Sequence, residues 1–289
     1  MNTVDTVRNR ALLVHVTVET PGQTKSDDEL TREVHTAHSA SEDSGNYVKN
    51  LWPAPVLQPW KTAASRVSTY LRRPPPVGVT FPFAASLYLM PTSIYFDASA
   101  RAGELIRAAM KEADRISDKF DDWIDQAKAS RNGIFNRADY PPSKEAFRAQ
   151  FKIDMQYFPI PAGSHFMLDM IDEEVQEVAQ QTDRKVQDAL VEGQRTLLRQ
   201  MIPPIQRMVD TLKDEEASFK NSLVNNIVTM VNLVPKYNLL GDPQLQAFAD
   251  EMRATLIVDP EALRKNKDFR SEQQKKADDL CRKLKAYVI

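Results

Sequence analysis

From Asp172 almost to the C-terminus, apolar residues recur at every third or fourth position, and that period admits little besides helices packed side by side. Ile171, Val175, Val178, Val186, Leu190, Leu197 and Met201 mark the first stripe, which is of coiled-coil type and is interrupted at Thr182 and Gly193. Pro203-Pro204 is expected to break or kink it. Further helices are predicted over roughly 205–212, 219–234, 243–256 and 269–287. A helical bundle or coiled-coil arm follows for the second half. Glycine supports this: the 289 residues hold 8 of them, too few for the turns and phosphate loops of nucleotide-binding α/β folds.

The first half mixes patterns. Ala11 to Glu19 (ALLVHVTVE) reads as a strand, closed by a Pro21-Gly22 turn. Ser26 followed by Asp27, Asp28 and Glu29 looks like a capped helix start, with the helix running to about Ala40. A helix is expected over 54–73, stopped by Pro74-Pro75-Pro76. Val77 to Phe96 is aromatic and β-branched and reads as extended segments. Residues 98–130 carry a strong helical period through Leu105, Ala109, Ala113, Ile116, Phe120 and Ala127. A short helix after Pro141-Pro142-Ser143 leads to an extended stretch over 153–161, with His165 to Met170 as its expected hairpin partner. The fold class expected is mainly α with a small β element. Two domains are expected: a mixed helix and strand domain over 1–170, and the helical region over 171–289.

The chemistry-bearing residues are sparse. No phosphate-binding, dinucleotide, zinc-hydrolase or nucleophile-elbow motif occurs. His35 and His38 stand three apart on a predicted helix, but no third ligand falls at a telling spacing, so no metal is expected. Asp169, Asp172, Glu173, Glu174 and Glu177 suit the start of a helix without any chemistry. The lone thiol, Cys281, lies in a helical pattern as a small apolar residue. The expectation is a chain with no catalytic residues and no cofactor. A net charge of −2 supplies no global attraction to nucleic acid or membrane. One cysteine and no apolar run of membrane-spanning length predict a cytoplasmic protein.

Two local features remain. Arg66, Arg72 and Arg73, with Tyr70 among them, precede the triple proline and an aromatic-rich segment, a mixture suited to single-stranded nucleic acid. The alternative is that the rings fill the core and the arginines are solvated. The C-terminal lysines and arginines are interspersed with acids and read as a solvated helix face.

Three blocks carry a resemblance: the opening ALLVHVTVE, Asp139-Tyr140-Pro141 through Phe147 and Phe151, and Phe158-Pro159-Ile160-Pro161 followed by Ser164-His165-Phe166. In this order they resemble an uncharacterised family of phage and proteobacterial proteins, domain of unknown function 3150, over roughly residues 10–200. The resemblance implies no activity and no catalytic residues. It implies a setting beside a MoxR-type AAA+ ATPase and a von Willebrand A-domain protein, and so an adaptor or substrate of a remodelling machine. The expected function is therefore a non-enzymatic protein-interaction component, binding a partner or a second copy through Ile171, Val175, Val178, Val186, Leu190 and Leu197. The alternative is a single-stranded nucleic-acid-binding accessory factor of phage replication or transcription.

Overall fold

The computed structural model describes residues 7–53, 55–162, 172–214 and 218–288, without the side chains of residues 172–175. It is mainly helical with a small antiparallel sheet, as the sequence leads one to expect. Six strands are assigned among the described residues: β1 (Ala11–Glu19), β2 (Thr24–Ser26), β3 (Val48–Asn50), β4 (Phe81–Ala84), β5 (Leu87–Pro91) and β6 (Lys152–Phe158). The helices, among the described residues, are α1 (Asp28–His38), α2 (Gln58–Arg72), α3 (Tyr95–Asp118), α4 (Phe120–Arg131), α5 (Lys144–Arg148), α6 (Asp172–Lys213), α7 (Ser222–Tyr237), α8 (Pro243–Leu256), α9 (Pro260–Lys265) and α10 (Lys267–Val288).

By its internal contacts the chain divides into two compact units, and neither is continuous in sequence. The first comprises Met1–His15, Thr69–Ser99 and Gln156–Ile289; the second comprises Val16–Ser68 and Ala100–Met155. The boundary expected at residue 170 is not where the contacts divide. Strands and helices of the first half thread through both units, and a linear scan for composition shifts cannot register that.

The four-stranded sheet has the order β4-β5-β1-β6. β1 runs antiparallel to β5, with Leu13 opposite Leu89 and His15 opposite Leu87. β4 and β5 form a hairpin whose register shifts between Pro82 and Ala84. Pro82 is tolerated because β4 is an edge strand, where a missing N–H leaves no ladder bond unmade. β6 lies beside β1. Its expected hairpin partner, His165 to Met170, falls outside the described residues.

Side-chain caps mark four of the helix starts. Asp27, not Ser26, caps α1: its carboxylate accepts from Leu30 N, and Ser39 ends the helix at φ 50°. Ser143 caps α5 through Ala146 N, and Asp242 and Asp259 cap α8 and α9, each with proline at the first helical position. The segment expected as one helix over 98–130 is two, parted at Lys119. The end of α2 is closed by the chain that follows the triple proline: Val79 N donates to Tyr70 O, Thr80 N to Arg73 O, and Thr80 Oγ1 to Leu71 O. Gly78 makes that return possible, since a Cβ there would lie 2.2 Å from Arg73 O.

In the first unit, α6 packs along α10 and α7. It continues through Pro203 and Pro204 to Lys213, so of the expected break or kink the break does not occur. Gly193, which interrupts the apolar stripe, is where Phe81 of β4 lies against α6; a Cβ would stand 3.3 Å from the ring. The buried Arg270 closes the end of α6. Its guanidinium donates to Thr211 O at 3.0 Å and to the carbonyls of Leu212 and Asp214, satisfying terminal acceptors a helix leaves open.

The second unit has an aromatic core. Trp52 packs against Phe120, Tyr140 and Phe147, and Trp60 against Phe151. Both indoles are anchored: Trp52 Nε1 donates to Gly22 O at 3.0 Å and Trp60 Nε1 to Thr20 Oγ1 at 2.9 Å.

Candidate functional site

Half of the predicted interaction stripe is not a surface. Val186, Leu190 and Leu197 are buried, and Val178 is half-buried. Ile171 and the side chain of Val175 lie outside the described residues. The apolar period of α6 is satisfied by α7 and α10 of the same chain, so this part of the expectation is corrected. Periodicity reports that a face is covered, not by which chain.

The arginine cluster is only partly open. Arg66 and Arg73 are exposed, while Arg72 and Tyr70 are half-buried. The C-terminal cations are largely matched by acids: Lys265 with Glu261, Lys276 with Glu272, Lys283 with Glu251 and Asp279, and Arg282 with Asp278. They form no bare basic face.

His35 Nε2 lies 2.9 Å from Gly45 O, and His38 is exposed. No group of three metal-ligating residues occurs among the described residues. Of the acidic cluster, Glu177 is exposed and accepts from Gln181; the side chains of the other four are not described. Burial pushes the Cys281 thiol above its ordinary range, away from the reactive thiolate. No helix of the described residues is long and apolar enough to cross a membrane.

The second unit holds an ion cluster that sequence reading missed. Lys49 on β3 is 7% exposed, and its Nζ lies 2.6 Å from Asp27 Oδ2 and 2.6 Å from Asp139 Oδ2. Lys25 Nζ reaches Asp139 Oδ1 at 2.8 Å. Burial disfavours the Lys49 cation, but hydrogen bonds to Asp139 and Asp27 outweigh it and hold the amine above its ordinary range. Asp27 is held below the usual carboxylate range, first by Lys49 and then by Leu30 N. Burial opposes the Asp139 charge, yet Lys25 and Lys49 hold its carboxyl low as well. A polar cleft of about 610 Å³ opens beside the cluster. The paired charges tie β2, β3, the start of α1 and the segment at Asp139 together. The cluster's members are 22 and 90 residues apart, and no local spacing announces them.

The first unit carries a different feature. α3 begins Tyr95-Phe96, and the Phe96 ring is 83% exposed. Tyr95 backs it, with ring centroids 5.3 Å apart, and Tyr95 packs in turn on Tyr157 of β6 at 5.0 Å. Ser99 Oγ, one turn along α3, shares a 2.7 Å hydrogen bond with the Tyr157 hydroxyl. Burial pushes the Tyr157 phenol up, against the pull of Ser99. The two tyrosines and the serine form a fixed platform beneath an open phenyl ring. One signal could have found it: Phe96 stands two residues before Ala98, which begins the buried face of α3, and so points away from that face. The sequence reading placed Phe96 in an extended segment, where helical phase has no meaning.

No family model, no curated protein and no solved structure matches this chain.

Proposed function

We propose that the chain is a non-enzymatic protein-interaction component, an adaptor or scaffold of phage or mobile-element type working in a bacterial host cytoplasm without a cofactor. Phe96 carries this reading. Burying a phenyl side chain yields about 1.5–3 kcal/mol. A ring that is 83% exposed keeps nearly all of that for a partner. Tyr95, itself packed on Tyr157, backs one side of the ring, and an exposed aromatic on such a support suits an interface anchor. The resemblance to domain of unknown function 3150 supports the class of partner, an AAA+ ATPase with a von Willebrand A-domain protein.

A second reading, a single-stranded nucleic-acid-binding accessory factor, has one observation in its favour. Arg66 and Arg73 are exposed and have no acidic partner among the described residues.

Affinity purification of the tagged chain from its host, with nuclease treatment, tests the first reading. Protein partners should survive nuclease, and their recovery should fall with Phe96→Ser, which melts as the wild type does. Undiminished recovery of every partner by Phe96→Ser would sink it. A purified chain that binds a labelled oligonucleotide far more tightly than the non-specific range of about 10⁻⁴–10⁻⁶ M, and loses this on replacing Arg66 and Arg73 by Ala, would install the second reading instead.

A further inference from the structure

α6 contains two adjacent prolines, Pro203 and Pro204. Proline has no N–H, so the carbonyls of Arg199 and Gln200 lack the donors a regular helix would supply four residues on. Beside this turn lies a groove of about 230 Å³ in the first unit, lined by Gln200, Pro203, Pro204 and Arg207 of α6 and by Asn226 and Met230 of α7. Residues three, four and seven apart share a helix face, so the four α6 residues form one wall. Met230 is buried and supplies an apolar floor.

Arg207 is exposed and has no acidic partner among the described residues. Neither Gln200 nor Asn226 has a side-chain hydrogen bond to them. This sets Arg207 apart from Arg264, Arg270 and Arg282 of the same unit, whose guanidiniums are all engaged. Helical side chains lean toward the N-terminus, so the Arg207 guanidinium reaches back over the turn that holds both prolines. The groove thus combines a free planar cation, the Gln200 carbonyl without its helical donor, two free amides and an apolar floor.

We infer that this groove binds an acidic peptide segment of a protein partner, with a carboxylate on Arg207 and a backbone N–H on the Gln200 carbonyl. The guanidinium fork matches a carboxylate in bidentate geometry. That carbonyl repels a ligand that offers only acceptor oxygens, as a phosphate does, and rewards one that also brings donors, as a peptide backbone does. The volume lies below the roughly 300–1,000 Å³ typical of cavities for whole small molecules, so a stretch of chain fits it better than a free cofactor. The inference rests on the protein-binding reading above and adds a second contact to it, separate from Phe96.

Panning a phage-displayed library of random short peptides against the immobilised full chain tests it. Enriched peptides should carry Asp or Glu at a constant position. In titration, Arg207→Gln should weaken them about tenfold or more while leaving the melting curve unchanged. Arg207→Lys should recover only part of the loss, because an ammonium lacks the fork. Substituting Phe96→Ser should leave these peptides bound, which separates failure of the groove from failure of the aromatic anchor. Absence of enrichment, enrichment without an acidic position, or equal binding by Arg207→Gln would each overturn the inference.

Discussion

The two units bury different materials. The second is built around rings, Trp52, Trp60, Phe120, Phe147 and Phe151, with both indole N–H groups hydrogen-bonded and one lysine locked between two carboxylates. The helices of the first are lined with aliphatic residues such as Val186, Leu197, Met201, Ile205, Ile227 and Leu284. Their ion pairs are mostly exposed pairs three or four residues apart. Aromatic and ionic cores place groups directionally, because rings and charges have preferred geometries. Aliphatic helix packing is permissive and needs only volume and phase. The second unit is therefore where a single polar substitution should do most harm through geometry, and the first is where harm should follow burial alone.

Three substitutions sharpen or break this contrast. The largest effect is expected for Leu197→Glu. Its side chain is fully buried on α6, and an unpaired carboxylate there should destabilise the first unit by about 4 kcal/mol or more, read from a denaturant titration. A variant that melts like the wild type and loses only a partner would restore the α6 stripe as a docking surface.

Next comes Lys49→Met, expected to cost about 2–3 kcal/mol. That is less than the 3–5 kcal/mol of a dry pair because Lys25 still reaches Asp139. Asp27 and Asp139 titrate below their ordinary range, so their contribution is complete above about pH 4 and fades as pH falls through the lowered values. Lys49 titrates above its ordinary range, so its contribution is complete below about pH 10 and fades as pH rises further. Urea unfolding across both edges should show shallower slopes in Lys49→Met. Unchanged slopes would mean that the cluster contributes no pH-dependent stability.

The smallest effect belongs to Arg253→Gln, which removes an exposed pair with Asp250. It should move the unfolding midpoint by under about 0.5 kcal/mol. A larger loss would mean that the surface pairs of the first unit act as a connected network.

Much of the fold is readable from order and period. β1 is assigned over the same residues the alternation predicts, Ala11–Glu19. Pro243 after Asp242 marks the start of α8, because a capping carboxylate and a residue without an N–H both suit a first turn. The stretch from Asp172 onward is helical for the reason its spacing implies, an apolar face that must be covered. Other boundaries escaped. Tyr95 opens α3 where aromatic composition reads as strand. α6 passes through two prolines where local rules predict a break or kink, and it is packed along α7 and α10.

The candidate sites divide in the same way. The sequence alone determined that apolar faces exist, where most helices start and which residue types are scarce, because those are properties of neighbours a few positions apart. Only the tertiary structure decided what each face meets. It spent Val186, Leu190 and Leu197 inside the chain, brought Asp27, Lys49 and Asp139 together, and left Phe96 and Arg207 in the open. Burial and pairing depend on segments far apart along the chain, and a local pattern holds no record of which distant segment arrives.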